Sequence, residues 1–330
     1  MADFLTFDTD LTAVANAIRA KGGTSAQLIY PSGFVSAIQA IQTGITPKLV
    51  VTTTPGAAIT ATPAEGFKVV KGTAGADGMC TLELPKAGTW HVTAMANSVS
   101  NSQHIVIGTQ NMLLPLYHDT FANNTWEEII TVCRTGIAPD SWAVGDSKTM
   151  NIGGTAYQVD IIGKNHDEYA DGSGTAPLTF QLHDCYSEAK QMYSTNLSGL
   201  GWKNTDMRLT YLPAILALMP AEVQNGIRAV NKKTSEGGNS TTIETVSDTL
   251  FLLSEVEIFG TASSSVAGEG SQYDYYKAGN PKIKKREGVD EFWWERSSAS
   301  GGMFCRVRAN GQAGASNASS SLGVSFAFCF

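Results

Sequence analysis

The chain closes on RVRANGQAGASNASSSLGVSFAFCF, residues 306–330, and the reading of this stretch decides how the C-terminal part is built. Val324, Phe326, Phe328 and Phe330 recur at period two, which predicts a strand with a face in a core. Just before them, Gln312, Ala313, Gly314, Ala315, Ser316, Asn317, Ala318, Ser319, Ser320 and Ser321 are all small or polar. Upstream, MFCRVRAN alternates again. Phe304, Arg306 and Arg308 fall on one face, Cys305 and Val307 on the other, and Asn310-Gly311 is a two-residue hairpin signal of type I′. Cys305 and Val307 suit a core, so the two arginines project from it. The returning stretch, Gln312 to Leu322, imposes no shape on the core and reads as a display surface, while Val324–Phe330 hold the fold.

Working outward, EFWWERSS is a further strand. Trp293 and Trp294 are adjacent and so point to opposite faces; Trp294, which shares its face with Phe292, is the one assigned outward. NTWEEIITVCRTG reads as a capped helix with Trp126, Ile129, Ile130 and Cys133 on one side. KTMNIGGTAYQVDIIG is a hairpin about Gly153-Gly154, and LTFQLHDC is a strand. MRLTYLPAILALMPAEVQNGIRAV gives two helices, the second opening at Pro220, and DTLFLLSEVEIF is a strand or strand–helix junction. Helices and strands come in blocks instead of alternating, so the class is α+β and not a doubly wound parallel sheet.

Residues 45–108 change character. KLVVTTTPGAAITATPA, MCTLELPKAGTWHVTAMA and QHIVIG are rich in Thr and Val, with turns at Pro55-Gly56, Asp77-Gly78 and Ala87-Gly88. Leu82, Leu84, Trp90, Val92 and Ala94 alternate, giving a small β-sandwich of about seven short strands with Trp90 in its core. Residues 109–121 read as a linker to the last domain, 122–330. Residues 1–44 read as a helical module: Asp10 caps a helix carrying Leu11, Val14, Ala15 and Ile18, Gly22-Gly23 stops it, and Pro31 opens a second with Phe34, Val35, Ile38 and Ile41. So small a piece has little core of its own, which suits attachment to a partner or to further copies of the chain.

Composition narrows the function classes. The chain has 330 residues, 42% of them hydrophobic, with a formal net charge of −7. That length suits two or three domains, and the acidity argues against a nucleic-acid partner. The basic cluster Lys282, Lys284, Lys285 and Arg286 reads as a solvated loop. The N-terminus shows no signal peptide, and no apolar run approaches a membrane span. Five scattered cysteines make no disulfide framework and no metal pair, which fits production in a reducing cytosol. No cofactor motif is visible. His166-Asp167-Glu168 and His183-Asp184-Cys185 are the compact polar groups; without HxxxH or HExxH spacing they read as core or hydrogen-bonding residues. Asp290, Glu291 and Glu295 lie near the display surface and read as solvated, although paired carboxylates for glycoside cleavage have no spacing rule.

TWEEIITVCRTG, GDSKTMNIGGTAYQVDIIG, LTFQLHDC, FLLSEVEIFG, GEGSQYDYYKAGN, WWERS, MFCRV and GVSFAFCF, in this order, resemble a domain of unknown function that recurs in prophages of Gram-positive bacteria and has a C-type-lectin-like fold. LTAVANAIRAKGGTSAQLIYPSGFVSAIQAI is similar to the leader of phage tail and minor structural proteins, and the Thr-rich 45–108 region to the Ig-like spacers of such proteins. The resemblance implies a phage tail-tip or tail-fibre receptor-binding protein, assembled in the host cytoplasm and carried on the virion. It binds other tail proteins through its N-terminal module, forms a homo-oligomer, taken as a trimer, and recognises a host-surface protein or glycan without catalysis. Folds of this kind include the variable proteins of diversity-generating retroelements, in which exposed side chains of a C-terminal cassette are randomised. Their calcium-dependent sugar-binding relatives use EPN or QPD with WND. This chain has GNP at 279–281 and WKN at 202–204, so no metal is expected. The expected ligand-binding residues are Phe292, Trp294, Ser298, Phe304, Arg306, Arg308, Gln312, Gly314, Ala315, Ser316, Ser320 and Leu322. The rival readings are a wall- or polysaccharide-degrading tail enzyme and a purely structural tail or decoration protein.

Overall fold

The computed structural model describes residues 8–22, 47–64, 68–107, 110–196, 199–238 and 240–330. The chain divides into two units, Met1–Leu114 and Pro115–Phe330. In the first, helix α1 (Asp8–Gly22) buries Ala15 and Ile18 but leaves Val14 exposed. The helix starts at Asp8, so Asp10 lies within it and does not cap it. The second expected helix, with Pro31, Phe34, Val35, Ile38 and Ile41, lies outside the described residues.

Seven strands follow: β1 (Lys48–Thr52), β2 (Ala58–Pro63), β3 (Val70–Thr73), β4 (Met79–Glu83), β5 (Gly88–Ala96), β6 (Val99–Ile107) and β7 (Gln110–Leu113). They make a four-stranded sheet, β3-β2-β5-β6, and a three-stranded sheet, β4-β1-β7. Their alternating residues, Leu49, Val51, Ile59, Ala61, Leu82, Trp90, Val92 and Ala94 among them, are buried. The two buried faces meet: a Cβ on Gly72 of β3 would stand 2.5 Å from Cys80 Sγ and 2.7 Å from a Leu82 methyl, both on β4. Strand β7 falls in the stretch expected as a linker. It pairs parallel with β1, and Met112 and Leu114 are buried, a pairing that four residues without strict alternation do not announce.

The second unit mixes helix and sheet. Helix α2 (Trp126–Cys133) opens with a capping box between Thr125 and Glu128 and buries Trp126, Ile129, Ile130 and Cys133. Strands β8 (Ser147–Ile152) and β9 (Thr155–Lys164) form the expected hairpin and continue to β10 (Leu178–Leu182). Short helices α3 (Leu212–Leu216) and α4 (Ala221–Gly226) precede the hairpin β11 (Val230–Ser235)–β12 (Ile243–Asp248). Then come β13 (Leu250–Phe251), α5 (Glu255–Phe259), α6 (Asp274–Lys277), the hairpin β14 (Lys284–Arg286)–β15 (Val289–Glu291), and β16 (Trp293–Ala299), β17 (Met303–Val307), β18 (Ala313–Asn317) and β19 (Ala327–Cys329).

The final strand is central, but shorter than its period predicts: of the expected Val324–Phe330 only Ala327–Cys329 is strand, with the residues on either side buried without being part of it. In the antiparallel five-stranded sheet β13-β19-β10-β9-β8, β19 lies between β13 and β10, and every residue from Gly323 to Phe330 is buried. Phe180 stacks on Phe328 at 5.3 Å between centroids, and Trp126 meets Phe330 edge-on at 6.0 Å. Among the described residues no helix is long and apolar enough to cross a membrane.

Candidate functional site

The expected display surface is built on a second, three-stranded sheet, β16-β17-β18. Its register sets Trp294 opposite Arg306 and Arg306 opposite Gly314. The turn between β17 and β18 differs from the expected type I′. Gly311 has φ +81°, but Asn310 does not adopt positive φ, and the Gly311 N–H donates to Arg308 O at 2.7 Å. This is a three-residue loop with glycine at its left-handed position.

Strand β16 is enclosed on both sides, because all seven of its residues are buried. Trp294 is therefore not an outward aromatic. Its indole N–H donates to Lys190 O at 2.8 Å, while that of Trp293 donates to Lys282 O at 2.9 Å. Alternation separates two faces but does not say what covers the second one, and here the 186–193 segment covers it. Ser298, Phe304 and Gly314 are also buried. Ser298 shares a hydrogen bond with Ser235, and Phe304 packs beside Tyr193. These four expected contact residues support the face and do not present themselves to a ligand.

Phe292, Arg306, Arg308 and Gln312 are exposed or half-buried, and so are Ala315, Ser316, Ser320 and Leu322. The arginines are held in place. The Arg306 guanidinium lies 4.2 Å from the centre of the Phe292 ring, and its Nε donates to Ala315 O at 3.2 Å. Arg308 Nε donates to Ala313 O at 3.1 Å. The small residues of β18 allow this: a Cβ on Gly314 would stand 2.8 Å from Arg308 Nε, so the arginine lies where any side chain would block it. Burial, and then the positive charge of Arg308, lower the pKa of Arg306.

The stretch after β18 is also fastened. Met192 N–H donates to Ala318 O at 2.9 Å, Gln191 Nε2 to Ser319 O at 2.6 Å, and Leu322 bridges to Lys190. Asn196 Oδ1 accepts from the Ser319 hydroxyl. Lys190, Gln191 and Asn196 had no signal in the sequence, because a loop partner more than a hundred residues away leaves no periodicity.

The remaining polar groups are structural in geometry. Asp167 is buried against Lys232 at 2.6 Å and accepts from Tyr273 and Thr179. Burial opposes its charge, but Lys232 and His166 outweigh that and hold its carboxyl far below the usual range. Lys232 also meets Glu257 at 2.7 Å, and Arg296 of β16 grips both oxygens of Glu257. His183 pairs with Asp160 at 2.7 Å, a hydrogen bond that raises its pKa; Cys185 is buried. Lys284, expected in a solvated loop, is buried instead. Its Nζ donates to the carbonyls of Leu182 and His183, and burial brings its pKa down to about 8. Of the three carboxylates near the face, Asp290 pairs with Lys285 and Glu291 with Arg286, while Glu295 is enclosed. Among the described residues no group of three His, Cys, Asp or Glu is arranged to hold a metal.

Residues 179–330, a little under half of the chain, match a family described as a domain of unknown function (DUF6273). No curated protein and no solved structure matches the chain. The matched stretch contains the whole β16-β17-β18 sheet and both arginines, so this C-terminal part is similar to a family whose description assigns it no activity.

Proposed function

We propose that this chain is a phage tail-associated receptor-binding protein. Its second unit, read as C-type-lectin-like, presents a ligand-binding face to the host surface. The sandwich of the first unit acts as an Ig-like spacer, and the N-terminal segment attaches the protein to other tail proteins or to further copies of itself, taken as a trimer. In this reading the protein acts on the virion, by recognition and not by catalysis. Arginine and aromatic side chains are the residues that carry binding energy at interfaces, and symmetric copies raise the avidity of a weak site. The tolerance of small residues in 312–322 suits a surface whose side chains are diversified.

The observation that carries the reading is the Phe292–Arg306–Arg308 cluster, exposed or half-buried on a strand whose opposite face, Cys305 and Val307, is buried. The test pairs a thermal melt with binding of the full chain to host cells or their wall fraction. The Arg306→Ala/Arg308→Ala double variant keeps its stability within ~0.5 kcal/mol, as at most surface sites. It loses about thirtyfold or more in binding, the effect of ~2 kcal/mol at an anchor pair. Undiminished binding at full stability moves the receptor site away from this face.

A further inference from the structure

We infer that Arg306 and Arg308 together receive a phosphate group carried by the ligand. The inference rests on the ligand-binding reading of this face and adds the chemistry of what it binds. Of the five other arginines of the same unit, four are already committed, Arg208 to Asp248, Arg228 to Asp171, Arg286 to Glu291 and Arg296 to Glu257, and the fifth, Arg134 at the end of α2, stands alone among the described residues and not beside a second arginine. Among the described residues Arg306 and Arg308 form no ion pair. Two acids of the adjoining hairpin are occupied, Asp290 by Lys285 and Glu291 by Arg286, and the third, Glu287 in its turn, makes no ion pair with either arginine.

Each of the two spends only its Nε, on a carbonyl of β18, and the Nη groups make no hydrogen bond among the described residues. The guanidiniums are also fixed beforehand, one on the Phe292 ring and the other across Gly314. Two planar forks held side by side, with like charges and no counter-charge, match an oxyanion by bidentate hydrogen bonding. The acceptor oxygens of a phosphate group are arranged around a tetrahedral centre, whereas the two of a carboxylate lie in one plane and suit a single fork, so two forks are better filled by phosphate. On a chain of net charge −7 this pair stands out from its background, and non-specific polyanion binding is disfavoured.

The test uses the full chain and two labelled polymers of equal charge, inorganic polyphosphate and poly-glutamate, with binding read by fluorescence anisotropy in one buffer. The expected result is binding of polyphosphate by the parent, at least tenfold weaker binding by the Arg306→Ala/Arg308→Ala variant, and an intermediate loss for Arg306→Lys/Arg308→Lys, which keeps charge but not the fork. If the double alanine variant melts lower than the parent, the exposed single change Arg308→Gln carries the comparison. Poly-glutamate binding as tight as polyphosphate overturns the assignment to phosphate. A parent that binds neither polymer, or variants that bind polyphosphate as the parent does, overturn the inference altogether. If the alanine variant then still loses binding to host cells, the ligand-binding face stands and only its phosphate chemistry falls.

Discussion

Glu295 and Arg296 are neighbours on β16, both fully buried, and they are treated in opposite ways. Arg296 donates to both oxygens of Glu257 and to the carbonyls of Leu252, Lys233 and Glu269. Neither oxygen of Glu295 has a partner among the described residues. Burial, and then the nearby charges of Glu255 and Glu269, raise its pKa well above the usual carboxylate value. Glu255 is held ionised by contrast: burial opposes the charge, but hydrogen bonds from Ser263, Ser264 and Ser265 outweigh it. The sign for stability follows. A carboxyl whose folded pKa is raised binds a proton in the folded state that the unfolded chain has released. Its contribution is complete below about pH 4.5 and is lost as pH rises toward the folded pKa, at ~1.4 kcal/mol per pH unit. Glu295→Gln removes that titration. Chemical denaturation at a series of pH values should show the variant gaining on the parent steadily above pH 4.5; parallel curves would mean that Glu295 is ionised in the fold. Chelator should leave the parent's melt unmoved, since a neutral Glu295 holds no cation. A drop in melting temperature would point to an ion among these three glutamates.

At the level of elements, period-two alternation was legible wherever a strand has one dry and one wet face, as in β4 and β5. It misled at β16, where Glu295, Arg296, Ser297 and Ser298 look like surface residues and are all buried. The cause is tertiary. The charge of Arg296 is matched by Glu257 from α5, and Ser298 by Ser235 from β11, partners 39 and 63 positions away that no local pattern connects. The same limit applies to the site. The run of small residues was visible as a surface element, but its work as a bed for two arginines depends on the register of β17 against β18. The last strand shows the opposite case, since apolar alternation placed it in the core and its position between β13 and β10 makes it indispensable. A chain ending at Gly323 loses Val324, Phe326, Phe328 and Phe330, each worth ~1.5–3 kcal/mol of burial, against a total stability of about 5–15 kcal/mol for a domain. The truncated chain should lack the cooperative transition of the second unit in circular dichroism. A soluble product with that transition intact would show that the five-stranded sheet does not need its inner strand.

Across the whole molecule, the five cysteines serve as built-in reporters of the two units. All are free and buried: Cys80 in the first unit, Cys133, Cys185, Cys305 and Cys329 in the second. Burial pushes every one of these thiols up, Cys185 to about 12, so little reactive thiolate exists at neutral pH and alkylation has to wait for unfolding. Cys133 on α2, Cys185 beyond β10 and Cys329 on β19 belong to one continuous apolar cluster, and Cys305 lies in the sheet that carries the proposed ligand-binding face. If that sheet is as rigid a support as the binding role requires, its cysteine becomes reactive no earlier than those of the main core. Iodoacetamide labelling across a denaturant series, resolved by peptide mass spectrometry, measures this directly. Cys133, Cys185, Cys305 and Cys329 should share a single midpoint, with Cys80 reporting the first unit on its own curve, and added reductant should shift neither, since no disulfide contributes. Labelling of Cys305 well below the midpoint of the other three would mean that the β16-β17-β18 sheet opens by itself. A face that opens in this way could not hold Arg306 on Phe292 in advance of a ligand, and the account of both arginines as pre-positioned anchors would fail with it.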